Sequence, residues 1–375
     1  MIRRPPRSTL SSSSAASDVY KRQILARAVQ EIWPNSHVTV SSEILPEIRE
    51  YERASTATLN AFLQPPVSDY LETLETSLEK RDFRGQVLIV QSNGGVMNLE
   101  RAKSLPVRTA LSGPAAGVIA AGYIGKVAGY PNIISCDMGG TSFDVSLIVN
   151  GESSLAAQSS IGFGMVVRTP MVEIVTIGAG GGSIARVDEG GLLQVGPESA
   201  GSDPGPACYG LGNTAPTVTD ANVLLGRINS ENPIGGKLNK LDVEAARCAI
   251  KTEVADPLGM NVFEAADAIL RVANGKMANA IRLVSVERGY EPGTFAAMPF
   301  GGGGALHAGA LIKEVGLDCA LVPRFPGITS ALGCVIADVR YDQVQTINDP
   351  LETLDLVSLE SQMVTYCKEG HQVLD

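Results

Sequence analysis

The sequence predicts an α/β fold, and three observations carry that expectation. Short apolar runs at 133–136 and 145–149 read as strands flanking a glycine turn. An amphipathic helix is expected over 263–288. A third strand, ending at Phe300, runs through four glycines into a helix that opens near Ala305. At 375 residues and 44% hydrophobic content the chain can bury a sizeable core, and two domains or more are expected.

Taken in order, residues 24–33 and 69–80 have helical apolar spacing, and QVLIV at 86–90 reads as a buried strand leading to the loop 91–95. Pro114 suits the first turn of a small-residue helix that Gly129 closes, and such a helix packs tightly on a sheet. The strand-turn-strand of 133–149 follows. Residues 151–240 are rich in Gly, Pro, Ser and Asp, a loop-heavy insertion that could border a substrate pocket. Its glycine run at 178–182 lies between two strand-like stretches, which disfavours a dinucleotide fingerprint, and the sequence has no G-x-x-x-x-G-K-[ST] string. In the helix expected over 263–288, Leu270, Ala273, Met277, Ile281 and Val284 recur at three and four and form a core stripe, with Gly289 as its cap.

The turn after the first strand reads Asp137-Met138-Gly139-Gly140-Thr141-Ser142-Phe143-Asp144. Bare glycines let backbone N–H groups approach phosphate oxygens, and successive N–H groups form an anion-binding concavity. A neighbouring carboxylate can hold Mg²⁺, usually through water, because that ion dehydrates reluctantly. Gly139, Gly140, Thr141 and Ser142 are therefore candidate phosphate ligands. Asp137 is the candidate for Mg²⁺ or for orienting an attacking group; Asp144 reads equally as a functional carboxylate or as an acceptor that ties down the turn. Gly301, Gly302, Gly303 and Gly304 sit between strand and helix, where open α/β sheets collect ligands and a helix N-terminus supplies free N–H groups. Cys208, with no histidine near it in sequence, reads as a buried inert thiol; Asp220 reads as a helix N-cap or a ligand, and His307 as a cap-proximal polar residue.

A formal charge of −10 without a basic stripe argues against nucleic acid as a partner. Six scattered cysteines and three histidines give neither a disulfide framework nor a zinc site, which suits a reducing, cytoplasmic setting. No run is long and apolar enough for a membrane span, so no membrane partner is expected. Residues 1–23 are basic and Ser-rich with no apolar core to form a secretory signal, and resemble translated adapter sequence more than a targeting segment.

The string from Asp137 to Asp144 resembles the second phosphate loop of the actin-like ATPase superfamily. The stretches SSEILPEIREYERASTATLNAF (41–62), QSNGGVM (91–97), LSGPAAGV (111–118), TIGAGGGSIARVD (176–188), SAGSDPGPACYG (199–210), FGGGGALHAGAL (300–311) and PGITSALGCVIADVRYD (326–342) resemble the hydantoinase A and 5-oxoprolinase family within it. The resemblance implies an actin-like, ribonuclease H-like ATPase domain carrying a Gly/Pro-rich insertion. It implies ATP and Mg²⁺ as cofactors, with 301–304 as the adenosine loop and Asp137 and Asp144 as the candidate catalytic carboxylates. The implied reaction is ATP-dependent opening of a cyclic amide such as 5-oxoproline or a hydantoin, with a hydantoinase B-like subunit or domain as partner in an oligomer. Subunits of acetone and acetophenone carboxylases belong to the same family, and a non-catalytic scaffold of this fold is a further alternative. The family closes two domains on ATP, each with a phosphate loop. The chain is therefore expected to be a fragment of a larger two-domain protein, inactive by itself. The expected division is an artefact segment over 1–23, the end of an N-terminal hydantoinase domain over 24–110, the ATPase domain over 111–345 and the start of a C-terminal region over 346–375.

Overall fold

A computed structural model describes residues 13–34, 37–47, 49–160, 164–233, 238–344, 347 and 350–374. They form two compact units. One comprises Met1–Ser112, Leu155–Met171 and Ala337–Asp375; the other comprises Gly113–Ser154 and Val172–Ile336.

The first unit is built on a helix of 30 residues, Glu50–Glu79, which continues through Pro65 and Pro66. The helical spacing at 69–80 is its last part. Leu71 of this helix packs with Met97, Leu99 and Ala102 in a small core, and Ala57 packs in a second one with Ile44, Leu45, Val107, Val167 and Met171. The strand predicted over 86–90 is shorter than expected: Leu88–Val90 pairs antiparallel with Val96–Asn98 and Leu88 is 39% exposed, so it is half of an edge ribbon and not a buried strand. The turn itself is tight, with the Gln91 N–H donating to the Gly95 carbonyl at 2.7 Å. Helix Ser13–Ile32 covers the spacing seen at 24–33, but Ile24, Leu25 and Ile32 are exposed, so that spacing does not bury a face. Residues 1–12 lie outside the described residues. The unit's last helix is Leu356–Leu374.

The second unit is a mixed sheet with helices on both faces. Its elements are α1 (Ser112–Val127), β1 (Ile133–Met138), β2 (Phe143–Val149), β3 (Glu152–Ser153), β4 (Val175–Ile177), β5 (Ser183–Val187), β6 (Leu193–Ser199), α2 (Val218–Leu224), α3 (Val243–Ile250), α4 (Val262–Val284), β7 (Ala296–Phe300), α5 (Gly304–Val315), β8 (Cys319–Ala320) and α6 (Thr329–Ile336). Among the described residues the sheet runs β4-β2-β1-β7-β8, with β3 also on β2. β1, β2 and β4 are antiparallel neighbours, whereas β7 lies parallel to β1 and to β8.

Side chains alternate across this sheet, and each face has its own core. Ile134, Cys136, Met138, Val145 and Leu147 pack with Ile269, Ala273, Met277 and Ile281 of α4. Ile133, Ile148, Met298 and Phe300 on the other face meet Ala115, Val118 and Ala121 of α1. A strand covered on both sides reads as a continuous apolar run, and that is why 133–136 stood out. α1 approaches closely because its facing positions are small: a methyl on Gly125 would lie 2.7 Å from Ile133. The core stripe expected on α4 is buried throughout. That helix starts at a capping box between Asn261 and Glu264 and is followed by a short turn ending at Gly289, whose φ is +80°. The region read as loop-heavy over 151–240 is more ordered than expected: β5 and β6 form a hairpin, and α2 is a helix capped by Thr217.

Candidate nucleotide site

The candidate residues gather at one end of the second unit's sheet because the register places them there. Asp137, the penultimate residue of β1, pairs directly with Asp144 of β2, and Asp144 pairs with Thr176 of β4. On the other side Asp137 lies beside Phe300, the last residue of β7, from which the 301–304 run departs. Asp144 Oδ1 accepts from the Thr176 hydroxyl at 2.5 Å and its Oδ2 from Ser142 at 3.4 Å. Asp137 Oδ2 accepts from the Ser330 hydroxyl at 3.3 Å.

Both carboxyls are half-buried. Desolvation, then the charge of Asp144, pushes Asp137 up to about 6 against the pull of the Ser330 hydrogen bond. Burial likewise raises Asp144, opposed by Thr176 and Ser142. Among the described residues neither carboxylate has a lysine or arginine partner. Two adjacent half-buried carboxylates without a cation form a site whose charge a divalent ion would relieve.

The turn between β1 and β2 presents amides outward. The Gly139 N–H donates to the Ser142 carbonyl at 3.1 Å and closes the tip. The Gly139 and Gly140 carbonyls accept from Gly181 at 3.0 Å and Gly182 at 2.6 Å. In a trans peptide the C=O and the following N–H point in opposite directions. Anchoring those two carbonyls on the 178–182 loop therefore turns the Gly140 and Thr141 N–H groups the other way. Both residues are exposed, and neither N–H has an acceptor among the described residues. The supporting loop is itself fixed: the Thr219 hydroxyl and N–H both donate to the Gly181 carbonyl at 2.8 Å, and a methyl on Gly180 would lie 2.6 Å from the Gly140 carbonyl carbon.

The 301–304 run lies against this turn. Gly301 donates to the Pro326 carbonyl at 2.9 Å and Gly303 to the Met138 carbonyl at 3.0 Å. Gly301 has φ +80°, and a methyl there would collide with Asp137 Oδ1 and the Met138 carbonyl. Gly302 is exposed with open space around it, and α5 begins at Gly304. Asp137, Asp144, Gly139, Gly140, Thr141, Ser142 and the four glycines thus form one constellation.

Other candidates lie elsewhere. Asp220 is fully buried, and it is the third residue of α2's capping box, not its N-cap; Thr217 is the cap. Its Oδ2 accepts from Thr217 N and Oγ1 and Ala207 N, and its Oδ1 from Cys208 N at 2.7 Å. Burial and Asp220 push the Cys208 thiol far up, which leaves it inert. His307 is buried with Nδ1 2.6 Å from Asn274 Oδ1, and burial pushes it down to about 4, so it is a neutral tie between α5 and α4. Sequence reasoning missed Thr176, Ser330 and the structural part played by 180–182. Only the last left a local signal, a glycine run weighed against the wrong motif.

The hydantoinase/oxoprolinase family model matches residues 53–343. Caprolactamase subunit alpha of Pseudomonas jessenii is 39% identical over 91% of this chain and 49% of its own length. The crystal structure of the ATP-dependent caprolactamase from that organism superimposes with a TM-score of 0.79 at 35% identity, covering 97% of this chain and 52% of that one. The nucleotide-free structure of acetone carboxylase, described for ATP-dependent acetone carboxylation, gives a TM-score of 0.78 at 30% identity over 95% of this chain and 51% of that one. The 5-oxoprolinase of Saccharomyces cerevisiae is 34% identical over 81% of this chain and 24% of its length. The chain thus spans about half the length of the subunits it matches, 49% for the caprolactamase subunit.

Proposed function

Because the chain belongs to the hydantoinase/oxoprolinase family, we propose that it is the ATP-handling part of an enzyme that opens a cyclic amide through a phosphorylated carbonyl intermediate. The observation that carries this reading is the Asp137–Asp144 pair lying beside outward-facing Gly140 and Thr141 amides and the 301–304 loop.

The residues fit a nucleotide and its ion. The Gly140 and Thr141 N–H groups suit phosphate oxygens. So does the Thr141 hydroxyl, which accepts from Ser199 and keeps its own proton to donate, whereas Ser142 is engaged with Asp144. Of the 301–304 run, Gly302 leaves exposed backbone bare for the adenosine, while Gly301, Gly303 and Gly304 pack behind it against Asp137, Met138 and Cys136, at the start of a helix whose dipole favours anions. Asp137 would hold Mg²⁺, with Asp144 tuning its charge. Among the described residues no cluster of three or more His, Cys, Asp or Glu side chains forms a metal cage. That suits Mg²⁺, which keeps several waters and takes one or two carboxylates plus substrate phosphates. When bound, the ion would neutralise charge on the phosphates.

Resonance makes an amide carbon a poor electrophile. Transfer of the γ-phosphoryl group to the amide oxygen expels ADP and turns that oxygen into a leaving group. Water can then add to the carbon, and collapse of the adduct breaks the C–N bond and expels the protonated ring nitrogen as the amine. A second water converts the resulting acyl phosphate to carboxylate and free phosphate. Such catalysis is chiefly positioning and charge stabilisation, which a rigid turn held by 178–182 supplies. A B-type subunit or domain would complete the hydrolysis, in keeping with a relative named as a subunit of caprolactamase. The match to acetone carboxylase favours a second reading, in which a substrate enol oxygen accepts the phosphoryl group.

The test is ATP consumption by this chain together with its natural partner segments, measured with 5-oxoproline, caprolactam, hydantoin, and acetone plus bicarbonate. Stimulation by a cyclic amide is expected; stimulation by the ketone alone would select the carboxylase reading. No ATP binding by calorimetry would leave a scaffold.

A further inference from the structure

The hydroxyl that touches Asp137 comes from a residue 193 positions away in sequence, and the packing around it is tight. Ser330 lies in the first turn of α6. One helical turn on, Gly333 rests on α1 so closely that a methyl would collide with the Ala116 carbonyl. The next residue of α1, Gly117, is bare where a methyl would lie 2.8 Å from the Phe300 ring and 2.9 Å from Ser330 Oγ. Phe300 is in turn the register partner of Asp137 on β7. Helix α1, helix α6 and strand β7 therefore meet at two glycines, and the product of that meeting is a serine hydroxyl on Asp137. Gly301 lies against the other carboxylate oxygen.

The geometry points to Ser330 as a positioning residue: lodged between its hydroxyl and the Gly301 backbone, the Asp137 carboxylate is held in one rotamer for a Mg²⁺-bound nucleotide. This inference rests on the ATP reading above. Asp144 is held independently, by Thr176 and Ser142, so loss of Ser330 releases one carboxylate of the pair and leaves the other in place. A partner that orients a metal-binding carboxylate affects metal affinity without touching the metal.

The experiment uses Ser330→Ala and Ser330→Thr in the intact chain, with ATP titrated calorimetrically in Mg²⁺ and in EDTA. Ser330→Ala should weaken Mg²⁺-dependent ATP binding about tenfold and leave binding in EDTA unchanged. Ser330→Thr, which keeps the hydroxyl, should restore affinity to within about twofold. A serine that merely packed would give the same affinities in both media, and equal behaviour of the two variants would overturn the inference. If the wild-type chain bound no nucleotide, the ATP reading would fail by itself. Crystal structures of the two variants would then still decide the role of Ser330. Asp137 should leave its rotamer in Ser330→Ala and keep it in Ser330→Thr, and an unmoved Asp137 in the alanine variant would refute the positioning role.

Discussion

Asp137 and Asp144 stand directly opposite one another on the antiparallel strands β1 and β2, two half-buried carboxylates with no basic partner among the described residues. Such an arrangement costs stability in the empty protein. Asp137→Asn removes one charge and keeps an oxygen for the Ser330 hydroxyl. Above pH 6 the variant should unfold about 1–2 kcal/mol less readily, reduced by solvent screening from the ~3 kcal/mol that the full displacement would imply. Mg²⁺-dependent ATP binding should meanwhile disappear. Urea denaturation and calorimetry read the two effects, and a variant that is less stable and still binds would contradict the assignment.

The same pair sets a pH dependence. Asp137 is raised from 3.8 to about 6, so between those values the folded state holds more protons than the unfolded one, and the stability of the empty protein falls as pH rises through that window. Under the proposed function nucleotide affinity should run the other way, because Asp137 would hold the ion as a carboxylate. In Mg²⁺, ATP affinity should fall about tenfold between pH 7 and pH 5, with a midpoint near 6 that is absent in EDTA. A flat profile across that range would remove Asp137 from ion binding.

Gly301 tests the fit of the second loop. Its φ of +80° is unfavourable for any other residue, and a methyl would strike both Asp137 and Met138. Gly301→Ala should cost about 1–3 kcal/mol and lower ATP affinity more than the neighbouring Gly302→Ala, where space is open. Equal effects of the two substitutions, measured by thermal unfolding and calorimetry, would mean that the loop does not press on the carboxylate.

What could be read from the sequence was whatever was local. The β1–β2 turn and the 301–304 run are each written in a single stretch between regular elements, and the α4 stripe repeats at helical spacing, so the place of all three in the fold was legible. The strand at 86–90 misled because an apolar run does not say how many of its faces are covered; Leu88 proved to be on an edge. The helix through Pro65 and Pro66 was hidden because proline normally ends one. Asp220 was read one turn away from its part because both Thr217 and Asp220 are good caps, and only the backbone decides which leads. Thr176 and Ser330 were invisible because strand register and a helix contact bring them to the carboxylates, and neither leaves a pattern in the chain.

Asp220 is the structural counterpart of Asp137, and the contrast can be measured. Oδ2 of Asp220 accepts from two N–H groups and a hydroxyl, while Oδ1 accepts from Cys208 at 2.7 Å. Asp220→Asn replaces one of these oxygens with an amide that can only donate. Placed at Oδ2 it would face three donors; placed at Oδ1 it would confront the Cys208 N–H. The second choice is cheaper, and it still leaves a buried donor against a donor and removes charge from the remaining bonds. The expected cost is about 2–4 kcal/mol by urea denaturation. At denaturant-free conditions the folded fraction should bind ATP as the wild type does, because Asp220 supports α2 and Cys208 and touches none of the proposed ligands. A loss below ~0.5 kcal/mol would mean that the carboxylate network is not what holds this corner of the fold.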